Sequence, residues 1–522
     1  MVHINGGTLR KRKIFVAKRE ARESMPCDAG AKRRVFCDGG GEMKASEQTA
    51  PVEGKGFELA TAGLEEAAAK AAAIFAAIYR GLEERPVAPP ADRATLRATM
   101  AGTVPDEGVG LVQALEEFEK WVLPGSMGTP HPLYLGLVNS SPLPAAALAD
   151  LLISSLNNNG GAFHQSPAMT TCEEELVRAF ARLFGLSGAD GMFLPGGTFA
   201  TLQAIVLARV RATGGPAQSG LRLYTSEVAH FSVARAAMVA GIASEDVVSI
   251  PVSGRGVMDV SALEQRIHRD RKEGQTPFAV VATAGTTGTG ALDPIAKIAA
   301  LCQQEKTWLH VDACYGGAAM LLEPMKACFA GIEGADSIAI DPHKWFFIPV
   351  TAALLLTTHP DLAQKAFVTT AGSYIPTDGE TDAWQRGIPT TRRSSGLAVW
   401  MALRAHGWRT IRTAVKSNIE LTRLLEAQLA ERGFRILEGG ELSIACARWE
   451  PRDRTEEAID RIQNAIAHDV VSSGKAWFST TRHAGRTWLR FNMVNLYTRE
   501  HHIRLLVDLL AEAASRSTAQ LP

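Results

Sequence analysis

A chain of 522 residues with 46% hydrophobic and 21% charged residues is too long for one hydrophobic core and too apolar to be disordered. Lysine plus arginine and aspartate plus glutamate both number 55, so the formal net charge is zero and no global field favours nucleic acid or an anionic membrane. The cysteines number seven, scattered and without a CxxC pair, which argues against a disulfide scaffold or zinc ribbon and for a reducing, cytoplasmic setting.

Residues 1–54, rich in glycine, arginine and lysine, show no helical or strand period and are expected to form a disordered basic tail. Its "RKRK" is not followed by an apolar block, so no secretory signal is expected. From "LEEAAAKAAAIFAAIYRGLEER" (64–85) apolar residues recur at three and four, predicting a helix that "RPVAPPAD" ends. A further helix, "GLVQALEEFEKWVLPG", and the irregular "GTPHPLYLGLVNSSPLP" complete a helical segment over 55–150.

Between 151 and 407 short β-rich runs, "LRLYTS", "FAVVATAG", "TWLHVDA", "ADSIAI" and "AALLLTT", alternate with helical stretches such as "HFSVARAAMVAGI". That pattern predicts an α/β domain, a large mainly parallel sheet with helices on both faces. Residues 408–522 read as a long helix, a strand at "LSIACARWE", another helix and "TWLRFNMVN", a smaller C-terminal α/β domain. The apolar run from Trp345 to Leu356 is too short to cross a bilayer and contains Pro349, so no membrane segment is predicted.

Ligands of such sheets bind beyond the carboxyl ends of the strands, and the informative polar residues fall there. Asp312 closes "TWLHV", and Lys344 follows "SIAI" one strand later, ahead of Trp345, Phe346 and Phe347. Taken singly, the lysine reads as a snorkelling side chain and the aspartate as a helix cap. One ligand accounts for both: pyridoxal phosphate, whose aldehyde takes a lysine amine and whose protonated ring nitrogen pairs with a carboxylate. The three aromatic residues are expected to desolvate the lysine and lower its pKa toward neutrality.

A phosphate needs an anion site, and "MFLPGGTFATLQAIVLAR" (192–209) supplies a strand, Gly196 and Gly197 for close backbone approach, the Thr198 hydroxyl and a helix N-terminus. Thr287 in "ATAGTTGTG" adds a second hydroxyl, and His230 is a candidate to lie over the cofactor ring. No residue spacing points to a metal.

The stretches "HVDACYGG", "DPHKW", "TAGTTGTGALDPI", "HFSVARAAMVAG" and "PGGTFATLQAI" carry a family likeness. From about residue 64 to 515 the chain resembles the pyridoxal-phosphate-dependent group II amino-acid decarboxylases, among them aromatic-amino-acid, glutamate, cysteine-sulfinate and diaminobutyrate decarboxylases. The resemblance implies the PLP-dependent transferase fold type I, a homodimer with its active site at the subunit interface, and residues 55–150 packing on the partner. It implies a lyase of amino-acid metabolism, a carboxy-lyase converting an L-amino acid to its amine through a Schiff base and a quinonoid. Lys344 would then be the Schiff-base lysine, Asp312 the partner of the ring nitrogen, His230 the stacking residue, and His343 a neighbour of the Schiff base. Gly197, Thr198 and Thr287 would hold the phosphate; Leu137, Val138, Asn139 and Ser140 would line the substrate side.

Two positions depart from the family pattern. Asp341 stands where many relatives have an asparagine touching the phosphate, and Ala383 stands where aromatic-acid relatives have a loop tyrosine thought to return the proton, with Tyr374 nine residues earlier. Reprotonation is therefore open between Tyr374, His343 and water, and failure of it would lead to an aldehyde, ammonia and peroxide. A carbon–carbon lyase of the same fold and an inactive binding protein with this fold are the competing readings. Leu137 and Val138 favour an apolar substrate side chain, Asn139, Ser140 and His131 a polar one; Arg386, Arg392 and Arg393 are the candidates for fixing an acidic one.

Overall fold

The computed structural model describes residues 61–89, 92–186, 188–367 and 381–520; the expected tail and Tyr374 lie outside them. The large sheet contains β1 (Asp190–Leu194), β2 (Leu221–Ser226), β3 (Val247–Ile250), β6 (Thr276–Thr283), β7 (Trp308–Asp312), β8 (Ser337–Ile340) and β9 (Ala353–Thr357), with a small hairpin of β4 (Val252–Ser253) and β5 (Val257–Met258) following β3. The order is β1-β9-β8-β7-β6-β2-β3. The five strands from β8 to β3 run parallel, whereas β9 is antiparallel to both its neighbours. The sheet is thus mixed but mainly parallel, as the alternating pattern predicts.

Strands β7, β8 and β9 are buried along their whole length, and β6 is buried beyond its first residue. This is why they read as continuous apolar runs rather than as alternation. Register places Thr283 opposite Asp312 and Asp312 opposite Ala339, so three strand ends reach the same level. A polar residue at the last position of β7 is therefore delivered to the carboxyl edge of the sheet.

The helix Gly396–Glu431 is long and carries a non-helical Gly407 (φ 69°, ψ 167°), a conformation that glycine adopts at little cost. Its second half joins a smaller antiparallel sheet of β10 (Phe434–Ile436), β11 (Ile444–Trp449), β12 (Ser479–His483) and β13 (Arg486–Asn492), ordered β10-β11-β13-β12. The helices Glu456–Ser472 and Glu500–Gln520 cover that sheet, with Leu425, Ile462, Phe491 and Leu510 in its core. This is the smaller C-terminal α/β lobe.

The segment after Lys344 is anchored in the main core. Trp345, Phe346 and Phe347 are all buried. Tyr315 stacks on Trp345 at 5.3 Å, Phe180 meets Phe346 edge-on at 5.3 Å, and Trp345 Nε1 donates to Asn418 Oδ1 at 3.0 Å. Each such side chain contributes roughly 1.5–3 kcal/mol by leaving water, which holds the lysine turn in place. Among the described residues no helix is long and apolar enough to cross a membrane.

Candidate active site

The turn Asp341-Pro342-His343-Lys344 leaves β8 and closes with the Lys344 amide donating to Asp341 O at 2.9 Å. It brings Lys344 Nζ to 2.9 Å from Asp341 Oδ2, with His343 Nε2 at 3.7 Å from the same oxygen. His343 Nδ1–H donates to Ala352 O at 2.7 Å, which orients Nε2 toward the lysine turn. At the end of β7, Asp312 Oδ1 accepts from the Cys314 amide at 3.1 Å.

A cavity of about 250 Å³ lies over these strand ends. Lys344, Asp312, His230, His343, Gly197, Thr198 and Thr287 all line it, so seven residues selected from separate stretches of the sequence meet in one place. Thr283, Ser232, Cys314, Tyr315, Asp341 and Thr351 also line it, and sequence reasoning does not assign them to the site. Their positions at strand ends, or next to residues that it does assign, are the signal that could find them.

The cradle at the cavity floor depends on glycine. Gly196 has φ +132°, which an L side chain rarely adopts, and a Cβ on Gly197 would lie 2.6 Å from Cys314 Sγ and 2.8 Å from Asp341 Oδ2. Gly197 also begins the helix Gly197–Thr213, whose first N–H groups have no partner within the helix. His230 is oriented by its neighbour: Ser232 Oγ lies 2.7 Å from its Nδ1 and the Ser232 amide donates to the same atom at 3.3 Å. Burial and Lys344 together lower the His230 pKa against the opposing pull of Asp312 and Asp341.

The expected depression of the Lys344 pKa is corrected. Burial by itself would lower it, but the Asp341 carboxylate, with Cys314 and Asp312 behind it, raises it above the ordinary lysine value. The aromatic residues that should have stripped water from the amine point into the core instead.

Behind Asp312, His310 lies on the same face of β7, two residues earlier. Its Nδ1 is 2.9 Å from Ser337 Oγ, which also accepts from Trp308 Nε1 at 2.9 Å. Burial pushes the His310 pKa down to about 4, so the ring is neutral.

Leu137, Val138, Asn139 and Ser140 do not line this cavity but are tied to its rim. Ser140 Oγ donates to His343 O at 3.3 Å. Leu137, at φ +49°, has its carbonyl held by Asn492 Nδ2 at 2.7 Å and by Arg490, whose Nε donates to Thr287 O at 2.8 Å. The three candidate arginines lie elsewhere: Arg392 pairs with Glu173 at 2.5 Å, Arg386 with Asp190 at 2.6 Å and Arg393 with Asp150 at 2.8 Å. Ala383 is buried at the start of the short helix Ala383–Arg386.

The arrangement fits a phosphate-bearing pyridine aldehyde. It has an anion cradle that no Cβ can enter at Gly197, a carboxylate and an amine on adjacent strand ends, and an imidazole held at the cavity wall.

Comparison with known proteins agrees. Residues 94–448 match the pyridoxal-dependent decarboxylase conserved domain. An aromatic-L-amino-acid decarboxylase of Bacillus atrophaeus is 29% identical, over 84% of this chain and 93% of that enzyme. An L-2,4-diaminobutyrate decarboxylase of Rhizobium meliloti (strain 1021) is 31% identical, over 79% of this chain and 83% of that enzyme. Among solved structures, a TDC of Oryza sativa with PLP and tryptamine superposes with a TM-score of 0.82 at 24% identity, covering 90% of this chain and 99% of that one, a likeness of fold.

Proposed function

Since the chain belongs to the pyridoxal-dependent decarboxylase family and has the type I fold of PLP-dependent transferases, we propose that it converts an L-amino acid with a hydrophobic side chain to the amine at the Lys344 cavity. The enzyme is a PLP-dependent carboxy-lyase. The observation that carries the site assignment is the delivery of Lys344 and Asp312 by adjacent strands into one cavity beside a glycine cradle.

When bound, the cofactor supplies an aldehyde for the amine and a protonated ring that withdraws electrons from the bond to the leaving carboxylate. Lys344 is the covalent anchor. Asp312, fixed by the Cys314 amide, holds a proton at the ring nitrogen, and the neutral His310 behind it adds no competing cation. His230, held by Ser232, would lie against the cofactor ring. Gly197, Thr198, Thr287 and the helix N-terminus would hold the phosphate. His343, whose Nε2 faces the lysine turn, would return the proton from that nitrogen once the ring has taken up a second proton from solvent, since Ala383 has none to give.

Side-chain preference follows from the rim. Arg386, Arg392 and Arg393 are committed to carboxylates of the chain itself, whereas Leu137, Phe231 and Val350 beside the site are 50%, 63% and 68% exposed. Exposed apolar residues at a cavity mouth call for a cover. A homodimer with the site at its interface, and residues 55–150 on the partner, would supply it. Five free cysteines among the described residues support a reducing, cytoplasmic setting.

A panel of L-amino acids scored for carbon dioxide and peroxide tests this reading. Aromatic and large aliphatic substrates should release carbon dioxide without peroxide. Release from acidic or diamino acids alone would overturn the substrate assignment, and stoichiometric peroxide would replace simple decarboxylation with the oxidative reaction.

A further inference from the structure

Asp341 is an acidic residue, buried and without a task in the decarboxylation chemistry. It is 2% exposed, its Oδ2 is 2.9 Å from Lys344 Nζ, and its Oδ1 has no hydrogen-bond partner among the described residues. A Cβ on Gly197 would lie 2.8 and 3.0 Å from its two oxygens. The carboxylate therefore rests directly against the residue that opens the phosphate-binding helix.

The charged and titratable groups around it come from every neighbouring element. Lys344 and His343 share its turn; Asp312 and Cys314 face it from the end of β7, and His230 from the segment before the helix Ser232–Val239. The first turn of the helix Gly197–Thr213 brings no charge. Lys344 is thus the cation that compensates Asp341, and it is the group that leaves this pairing when it bonds to an aldehyde.

We propose that Asp341 makes cofactor loading proton-coupled: the phosphate enters the Gly196–Thr198 cradle together with a proton that neutralises this carboxylate. The inference rests on the cofactor site assigned above. Two anions in contact in a buried site repel, and one shared proton relieves them. Until then the ion pair parks the lysine amine at the cradle, so Asp341 acts as a positioning residue. Because loading takes up a proton, affinity for the phosphorylated cofactor falls as pH rises.

The test uses the full-length chain stripped of cofactor, titrated calorimetrically at pH 8 in buffers of different ionisation heat. Pyridoxal 5'-phosphate is the probe and pyridoxal, which has the aldehyde without the phosphate, is its control. With the phosphate ester, wild type should take up about one proton more per site than Asp341→Asn. With pyridoxal, which also draws Lys344 away but brings no phosphate, the difference between the two proteins should be smaller. Asp341→Asn should bind the phosphate ester at least about tenfold more tightly at pH 8, the gap narrowing by about tenfold per pH unit on acidification.

Equal proton counts in the two proteins would overturn the proposal. Should the variant not fold, wild type alone decides: equal uptake with the two aldehydes refutes the coupling, since the free phosphate is already dianionic at this pH. Failure of borohydride to fix either aldehyde on Lys344 would instead remove the cofactor site, and this inference with it.

Discussion

Two cations, the partly buried Lys344 beyond the large sheet and the fully buried Arg448 in the small one, show how differently the same electrostatic problem is solved. Arg448, on β11, is fully buried and saturated: Nη1 meets Glu450 at 2.9 Å, Nη2 meets Asp460 at 2.8 Å and Glu456 at 3.0 Å, and Nε donates to Thr487 O at 3.1 Å. Lys344 has one carboxylate at 2.9 Å, its side chain is 22% exposed to a cavity, and the second oxygen of its partner is unmatched among the described residues. A guanidinium cannot lose its proton and suits a permanent clamp, whereas an ammonium can and suits chemistry. On the function proposed above, saturation marks the structural cation and incomplete pairing the reactive one.

The largest test of that contrast is Lys344→Ala. Turnover should fall on the order of 10⁴-fold, read as carbon dioxide release. Asp312→Ala should likewise cut turnover far more than it lowers cofactor occupancy measured by absorbance; equal losses would argue against its role at the ring nitrogen. Stability should suffer less in Lys344→Ala than at Arg448, because the stranded Asp341 opens on a cavity where water or a proton compensates it.

Arg448→Met should do the reverse. Removing one member of a buried ion cluster costs about 3 kcal/mol, near the low end because its carboxylates are partly exposed. Denaturation midpoints would show the loss while turnover per folded molecule stays unchanged. A catalytic defect in the folded variant would break the comparison.

The smallest effect concerns buried bases kept neutral. Burial lowers the pKa of both His131 and His310 to about 4. Between pH 6.5 and 4 the unfolded chain therefore binds more protons at these positions, so the stability they contribute above pH 6.5 is lost as pH falls toward 4. Asp293, which burial raises to about 6, works in the opposite direction between pH 4 and 6. Two groups against one leave a net loss on the order of 4 kcal/mol on acidification. Urea midpoints across this range check it, and a flat or rising profile would refute it.

Much of this site is legible without the fold. Asp312 and Lys344 stand at the ends of apolar runs, and Gly196-Gly197-Thr198 stands between a strand and a helix; both are local patterns. The expected environment of the lysine fails because neighbours in sequence are not its neighbours in space. Phe347 adopts φ +62° and Trp345 hydrogen-bonds Asn418, so the aromatic residues enter the core, while the turn carries Lys344 back onto Asp341. The Asp-x-x-Lys spacing is the local signal for that pairing. No comparable signal exists for Arg392, whose partner Glu173 lies 219 residues earlier in the chain by the numbering of the pair.

Sequence by itself determined the succession of strands and helices, the seven residues that meet in the cavity and the class of cofactor they suit. Most of these follow from periodicity and from what ends each element, properties carried within a few residues; His343 came only from the family resemblance. Only the tertiary structure decided which charge meets which, and hence that Lys344 is held as an ammonium and that the candidate arginines are spent on internal carboxylates. Coulomb energy depends on separation in space and on the water excluded there, and both exist only once the chain has folded.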